Sequence, residues 1–326
     1  MFASSLAFGD FAIVVVGLIA LWKCGDLVVR YAIEVAEAFN VSTFFLGFVV
    51  LALAADAPEI AIAFSSALSG VAEVSVGDII GGNFTDIALV IGLTLLLSRG
   101  RITIKADDKK NLLAMLGVAA AVIIGVLCLG SVNRWQGLAL IILYVVSLVW
   151  LWKTNSAHEV VHENVVENVH SKKDLMLTSK LGLVAKLFAS GGLIMGASCV
   201  TVHFALKLAQ SLHWSPETVG AAILGVGTSL PELALSMGAL RRGEYGLALG
   251  PTLGTVLGQT TLILGITALF SGTPVSLSGL GSSIAFMFAA FAIIVYGLIN
   301  DKVMGRGIGA VLLALFFSFL GFHAWA

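Results

Sequence analysis

The 326-residue chain is 59% hydrophobic and only 11% charged, with a mean hydropathy of +1.03, too few charges to cover a water-facing surface of this size. Its net charge of −1 and the absence of any basic stripe speak against a nucleic-acid partner. A bilayer can serve as solvent instead, and at about 20 apolar residues per spanning helix the chain has room for roughly ten.

Apolar segments lie at about 8–30, 43–69, 76–98, 111–131, 136–152, 179–206, 216–240, 246–270, 281–300 and 305–324. The N-terminal MFASSLAFGDF lacks the basic start of a cleaved signal, so the first segment is expected to be retained. Cys24, Cys128 and Cys199 sit in or beside apolar runs, where a thiol acts as a small hydrophobe, and no disulfide is expected. The polar stretch 153–178 divides the chain into a first five-helix half, 1–152, and a second, 179–326. Basic residues gather in alternate loops: Arg99, Arg101, Lys105, Lys109 and Lys110; then Lys153, Lys172, Lys173 and Lys180; then Arg241 and Arg242; then Lys302 and Arg306. With ten spans these loops share one side, and the positive-inside rule makes it the cytoplasm, with both termini outside.

Within that frame residues 47–92 align with 220–265 without a gap, at a constant offset of 173. Gly47, Pro58, Glu59, Gly70, Gly77, Gly81 and Gly92 fall on Gly220, Pro231, Glu232, Gly243, Gly250, Gly254 and Gly265. An odd number of spans per half sets the halves in opposite orientations. The expected fold is therefore an all-α membrane protein of ten transmembrane helices in two inverted repeats, with a substrate site at the repeat interface near the midplane.

The second span, GFVVLALAADAPEIAIAFSSAL, and its counterpart, GAAILGVGTSLPELALSMGAL, each carry a proline and a glutamate near the middle. Proline removes a backbone donor and frees carbonyls, which at membrane depth survive only in protein or beside a wet cavity. Alone, each proline reads as a simple kink. The glutamates are harder to explain structurally. A charge at bilayer depth costs at least about 2.5 kcal/mol, and no Lys or Arg lies in these spans to pair with Glu59 or Glu232. A bound cation is the natural partner, and a set of oxygen donors suits Ca²⁺ or Na⁺. Asp56 lies three residues before Glu59, on its face if that turn is helical, and Asp86, whose repeat partner is Gln259, lies in the third span. Asp78 reads as interfacial and Glu73 as a loop charge.

These motifs resemble those of the sodium/calcium exchanger family within the calcium/cation antiporter superfamily, whose repeats carry G-T-S-x-P-E followed by G-N-x-x-G-S-N. The second repeat keeps Gly227, Thr228, Ser229, Pro231 and Glu232; the first keeps Pro58 and Glu59 but has Ala54, Ala55 and Asp56 before them. Of the second motif, Gly77, Gly81 and Asn83 remain in one repeat and Gly250 and Gly254 in the other, with Pro251 replacing Asn and Gly82 and Thr255 at the Ser positions. The resemblance implies Glu59 and Glu232 as central ligands, Asp86 and Gln259 as side-chain ligands, Ser229 and Thr255 as hydroxyls, and the Ala55 and Thr228 carbonyls completing the shell. Asp56 stands where a hydroxyl is expected, which bears on the choice of ion.

Four carboxylates in one small site repel one another by about 4 kcal/mol per pair at about 4 Å, even at an effective dielectric of 20. An empty site is therefore expected to hold at least one proton. The implied function is antiport of Ca²⁺ against Na⁺ by alternating access at a midplane carboxylate site, with a divalent cation/H⁺ exchanger as the alternative. No cofactor and no enzymatic activity are expected. Inorganic cations and lipid are the partners, the cell membrane the location, and the monomer the working unit. A rival of another class comes from HEVVH at 158–162, a match to the zinc-peptidase motif through His158, Glu159 and His162. Its extended form fails because Asn168 stands where a third His is needed. A solvated loop is the plainer reading, and His203 reads as packed or interfacial.

Overall fold

The computed structural model describes residues 2–39, 49, 51–68, 70, 72–98, 104, 106–155, 180–211, 229–243, 245–271, 274, 280–300 and 304–325. His158, Glu159 and His162 of the central loop, and Thr228, lie outside the described residues. Every regular element among the described residues is helical: α1 (Phe2–Phe39), α2 (Ala52–Ala55), α3 (Ala57–Leu68), α4 (Ala72–Thr85), α5 (Gly92–Leu97), α6 (Ala106–Leu129), α7 (Arg134–Asn155), α8 (Lys180–Ser211), α9 (Leu230–Arg241), α10 (Tyr245–Gly258), α11 (Leu264–Phe270), α12 (Gly281–Ile299) and α13 (Arg306–Trp325). Wider π-helical turns, Asp86–Ile91 and Gln259–Ile263, join α4 to α5 and α10 to α11.

Six helical stretches among the described residues are long and apolar enough to cross a membrane: Ser75–Leu97, Asp108–Leu129, Arg134–Thr154, Lys180–Ala197, Ala248–Phe270 and Gly281–Ile299. Their polarity is inside out. Asp56, Glu59, Asn83, Asp86, Glu232 and Gln259 are buried, whereas Ile142, Val145, Val146 and Val149 line an exposed face of α7 and Leu181 of α8 is 79% exposed. Only hydrocarbon solvates such a surface without penalty. The chain is a multi-pass membrane protein.

Local signals account for several helix boundaries. Asn133 caps α7: its Oδ1 accepts from the Trp135 and Gln136 amides at 3.0 Å each, while Gln136 Oε1 accepts from the Asn133 amide at 2.8 Å. This reciprocal arrangement satisfies donors that a helix start leaves open. α1 runs past the expected end near residue 30 to Phe39, where Arg30 and Glu34 pair at 3.0 Å one turn apart on its surface.

The 173-residue offset recurs in the backbone. α3 begins at Ala57 and ends at Leu68; α9 begins at Leu230 and ends at Arg241. α4 spans Ala72–Thr85 and α10 Tyr245–Gly258, and the π turns open at Asp86 and at Gln259. The connecting turns each need a glycine, Gly70 and Gly243, both at φ 74°, a conformation that costs other residues strain. Thr94 and Thr267 bond back to the carbonyls of Val90 and Ile263, again at the same offset.

Close crossings link the halves reciprocally. α7 packs on α11 where Gly137 meets Gly265: a β-carbon on Gly265 would lie 2.7 Å from the Gly137 carbonyl oxygen. α13 packs on α5 where Gly309 meets Gly92: a β-carbon on Gly309 would lie 2.7 Å from the Gly92 carbonyl oxygen. Helix α1 lies along α8 and crosses α9 at Gly25 and Gly238. Glycines at such crossings let backbones touch where lipid gives no hydrophobic drive to association. On one face the loops meet: Arg306 Nε donates to the Ser98 carbonyl at 3.1 Å, and Lys109 Nζ to the Ile299 carbonyl at 3.3 Å.

Cys24 and Cys128 are free thiols, and the side chain of Cys199 lies outside the described residues. His203 is exposed and sets its ring edge-to-face on Phe204 at 5.2 Å.

Candidate cation site

The proline–glutamate elements adopt a geometry that composition alone does not announce. Asp56 ends the short α2 and its carbonyl accepts from the Ile60 amide at 2.9 Å, opening α3; Ser229 does the same for Leu233 at 3.0 Å, opening α9. Pro58 and Pro231 therefore occupy the first turn of a helix, where the missing N–H costs little. The interruption falls just before them. Pro58 still cannot donate to the Ala54 carbonyl four residues back. Glu59 and Glu232 sit in the first turns of α3 and α9. There each carboxylate is close to its own backbone N–H, and the positive end of the helix dipole favours its charge.

Glu59 feels the charge of Glu232 first and those of Asp56 and Asp78 next. Glu232 also feels the charges of Asp86 and Asp56, and Asp56 that of Asp86. The carboxylates that the sequence singles out thus converge from α2, α3, the first π turn and α9. Asp56, Glu59, Asp86 and Glu232 are all at most 2% exposed. Among the described residues, no hydrogen-bond partner reaches Asp56 Oδ1, Glu59 Oε2, either oxygen of Asp86, or either oxygen of Glu232. Thr255 Oγ1 and Gln259 Oε1 are orphaned in the same way. Buried oxygens without partners are rare because each costs roughly 1–3 kcal/mol, more when charged. A hard cation satisfies several of them at once.

Of the other residues expected as ligands, Gln259, Thr255, Ser229 and Ala55 are described. The Gln259 carboxamide donates to the Asp56 carboxylate, with Thr255 beside both it and Glu232, and the Ser229 hydroxyl lies beside Asp86. Ala55 is buried at the end of α2. Asp78, expected at the membrane interface, lies one turn from the start of the apolar stretch Ser75–Leu97, half-buried, with its charge reaching Asp56, Glu59 and Asp86. It sits eight residues, two helical turns, before Asp86 on the same face. Among the described residues no three acids, imidazoles or thiols form a ready-made metal cage.

Other features escape a sequence reading. Both atoms of the Asn83 amide and the Thr85 hydroxyl are buried without partners among the described residues, on α4 beside Asp86. Asn83 carries a sequence signal as a retained position of the second motif; Thr85 has none beyond being polar within an apolar span. The π turns begin at Asp86 and Gln259 themselves. An extra residue in the turn re-aims the side chains that follow, a device common at functional positions. Gly82 and Gly258 abut Gln259 and Asp56, respectively.

A family model described as sodium/calcium exchanger protein matches residues 10–153 and 182–325. Among curated proteins, an uncharacterized membrane protein of Methanocaldococcus jannaschii is 29% identical over 301 residues, covering 92% of this chain and 93% of its own length. The sodium/calcium exchanger MaX1 of Methanosarcina acetivorans is 24% identical over 343 residues, covering 95% of this chain and 97% of its own. Solved structures of the sodium-calcium exchanger NCX_Mj superpose with a TM-score of 0.79 at 26% identity, over 97% of this chain and 98% of theirs.

Proposed function

The chain belongs to the sodium/calcium exchanger protein family, a family of transporters rather than enzymes, and from that premise we propose that it exchanges Ca²⁺ for Na⁺ by alternating access. The observation that carries this reading is the set of orphaned, buried carboxylate oxygens on Glu59, Glu232, Asp86 and Asp56, with no partner among the described residues. The ligand set is completed by Gln259, Ser229, Thr255 and the Ala55 and Thr228 carbonyls. Cation charge, together with protons on the acids it leaves unbalanced, neutralises this site, and only the loaded, neutralised site crosses the low-dielectric barrier between the two membrane faces. An empty, charged site stays where water reaches it, which couples outward movement of one ion to inward movement of another.

The architecture behind this is ten transmembrane helices in two inverted halves, 1–152 and 179–326, joined by a cytoplasmic loop at 153–178. Two observations support the inversion: the backbone recurs at 173 residues, and the crossing of α7 on α11 is answered by that of α13 on α5. An exchange of partners between halves is what a two-fold axis in the membrane plane produces. The contacts of Arg306 with Ser98 and of Lys109 with Ile299 support a shared, cytoplasmic side for the basic loops, and hence both termini outside. The acids proposed to hold the ion all come from one chain, which supports a working monomer in the cell membrane.

Flux in proteoliposomes tests the reading. Ca²⁺ uptake is expected to need an outward Na⁺ gradient, to stop in Glu59→Gln and Glu232→Gln, and to survive Glu159→Gln. Passive uptake without any counter-gradient would overturn the antiporter. A second reading, divalent cation against H⁺, is favoured by one observation: Asp56 puts a fourth carboxylate where the family has a hydroxyl. Uptake driven by a pH gradient and indifferent to Na⁺ decides for it.

A further inference from the structure

The two halves of the site are related by the 173-residue offset, yet their side chains differ in size at four positions, and the differences compensate one another. Asp56 corresponds to Ser229, and Gln259 to Asp86; in each pair the first side chain is the larger. Opposite each enlargement stands a glycine whose repeat partner has a β-carbon: Gly258 corresponds to Thr85, and Gly82 to Thr255. A β-carbon on Gly258 would lie 2.7 Å from Asp56 Oδ2, closer than van der Waals contact allows. One on Gly82 would lie 3.2 Å from Gln259 Oε1 and 3.5 Å from its Nε2. Neither glycine has a positive φ, so backbone freedom is not what glycine supplies here. Room is.

We propose that Gly258 and Gly82 are specificity-determining positions: by omitting two β-carbons they seat the Asp56 carboxylate and the Gln259 carboxamide as one hydrogen-bonded unit spanning the two halves of the cation site. The carboxamide nitrogen donates to Asp56, which fixes both side chains. Asp56 Oδ1 and Gln259 Oε1 remain, buried and without partners among the described residues, as a carboxylate and an amide oxygen presented together. The unit gives this half of the site a full negative charge where a serine in the same place, as at Ser229, offers only a hydroxyl dipole. Added anionic oxygen favours a divalent ion over monovalent ions, because affinity for Ca²⁺ rises with the charge count of its ligands. The glycines thereby act on ion choice without touching the ion.

This inference rests on the proposed cation site but not on which counter-ion drives exchange, so binding tests it separately from flux. Equilibrium Ca²⁺ binding to the purified full chain in detergent is measured for wild type, Gly258→Ala, Asp56→Ser and the double variant. Gly258→Ala is expected to weaken Ca²⁺ binding by about 10- to 100-fold, the range seen when a group that orients metal ligands is disturbed. In the double variant the serine is too short to meet the new β-carbon, so binding is expected to equal that of Asp56→Ser alone. Gly82→Ala is expected to act in the same direction but less, since its contact is looser and Gln259 can shift. Gly117, with nothing within 4 Å of its absent β-carbon, provides the alanine control.

Unchanged Ca²⁺ binding in Gly258→Ala, or losses that multiply in the double variant, would overturn the proposal. Should Gly258→Ala unfold, recovery of a folded chain in Gly258→Ala/Asp56→Ser supports the seating, and failure to recover counts against it. Wild type that binds Ca²⁺ without gradient-driven flux leaves the seating standing and defeats only the exchange reading; wild type that binds no Ca²⁺ defeats both.

Discussion

The stretch from Ala57 to Leu97 and the stretch from Leu230 to Phe270 follow one backbone course. Both open on a helix start with proline in the first turn, turn at a left-handed glycine, and widen into a π turn at the same position. Their chemistry diverges. The first, with Asp56 just ahead of it, contributes Asp56, Glu59, Asp78 and Asp86; the second contributes Glu232 together with Ser229, Thr255 and Gln259, all neutral. Backbone course is dictated by glycine, proline and the apolar pattern, and those recur. On the proposed function, charge is dictated by the ion to be held, which is one object shared by both stretches, so nothing requires its ligands to be split evenly. A duplicated frame can therefore hold an undivided, lopsided site.

The largest expected effect breaks the one charged pair that does recur. Glu59→Gln and Glu232→Gln should each reduce Ca²⁺ affinity by about 3 kcal/mol, roughly a hundredfold, the scale of removing one partner from a buried charge interaction. Matched losses in Ca²⁺-binding isotherms would make the two acids equivalent; a loss confined to Glu59 would place the ion wholly on the acidic stretch. Next come the crossings. Gly137→Ala and Gly309→Ala each push a β-carbon against a facing backbone, at 2.8 Å from the Gly265 carbonyl and 2.7 Å from the Gly92 carbonyl. Overpacking of this kind costs about 1–3 kcal/mol. Thermal unfolding in detergent should show similar drops for both variants and none for Gly117→Ala; a drop in only one would end the equivalence of the crossings.

Much of this comparison is already readable in the chain. The aligned glycines and the twin Pro-Glu pairs announce the recurrent frame because such residues act locally, through φ, a missing donor or a missing β-carbon. The six long apolar helices follow from hydropathy alone. Other features depend on contacts that sequence spacing does not encode. Gln259 meets Asp56 across roughly two hundred residues of chain, so sequence spacing does not reveal why Gly258 and Gly82, which abut them, lack a β-carbon. The π turns alter hydrogen-bond register by one residue, a change too small for any periodicity to report.

A smaller effect isolates a contact present on one side only. The Ser75 and Thr267 hydroxyls bond at 2.8 Å between α4 and α11, whereas the repeat partners, Ala248 and Thr94, cannot form this bond. Ser75→Ala should cost about 1 kcal/mol, the net value of a buried neutral hydrogen bond, because Thr267 still donates to the Ile263 carbonyl at 2.9 Å. Thr94→Ala, which loses only a bond within its own helix, should cost less in the same unfolding assay. A larger loss for Thr94→Ala would reverse the assignment.

The smallest expected effect concerns the long α1 against α9. Arg241 Nη1 meets Asp26 Oδ2 at 3.0 Å, and Arg242 Nη2 donates to the Asp26 carbonyl at 3.3 Å, one residue from the Gly25–Gly238 crossing. The corresponding position to Arg241 in the first stretch is Leu68, which has no charge to offer. About a third of each side chain in the Arg241–Asp26 pair is exposed, so solvent screens the attraction and its stability contribution should stay below about 1 kcal/mol. Arg241→Gln is therefore expected to leave thermal unfolding nearly unchanged. If α1 slides against α9 during transport, the pair instead biases which position α1 occupies, and even a few tenths of a kcal/mol then shifts that balance measurably. Exchange rates compared between low and high salt read this directly: wild type should become salt-sensitive and Arg241→Gln should not, and equal salt dependence in the two would confine the ion pair to the resting surface.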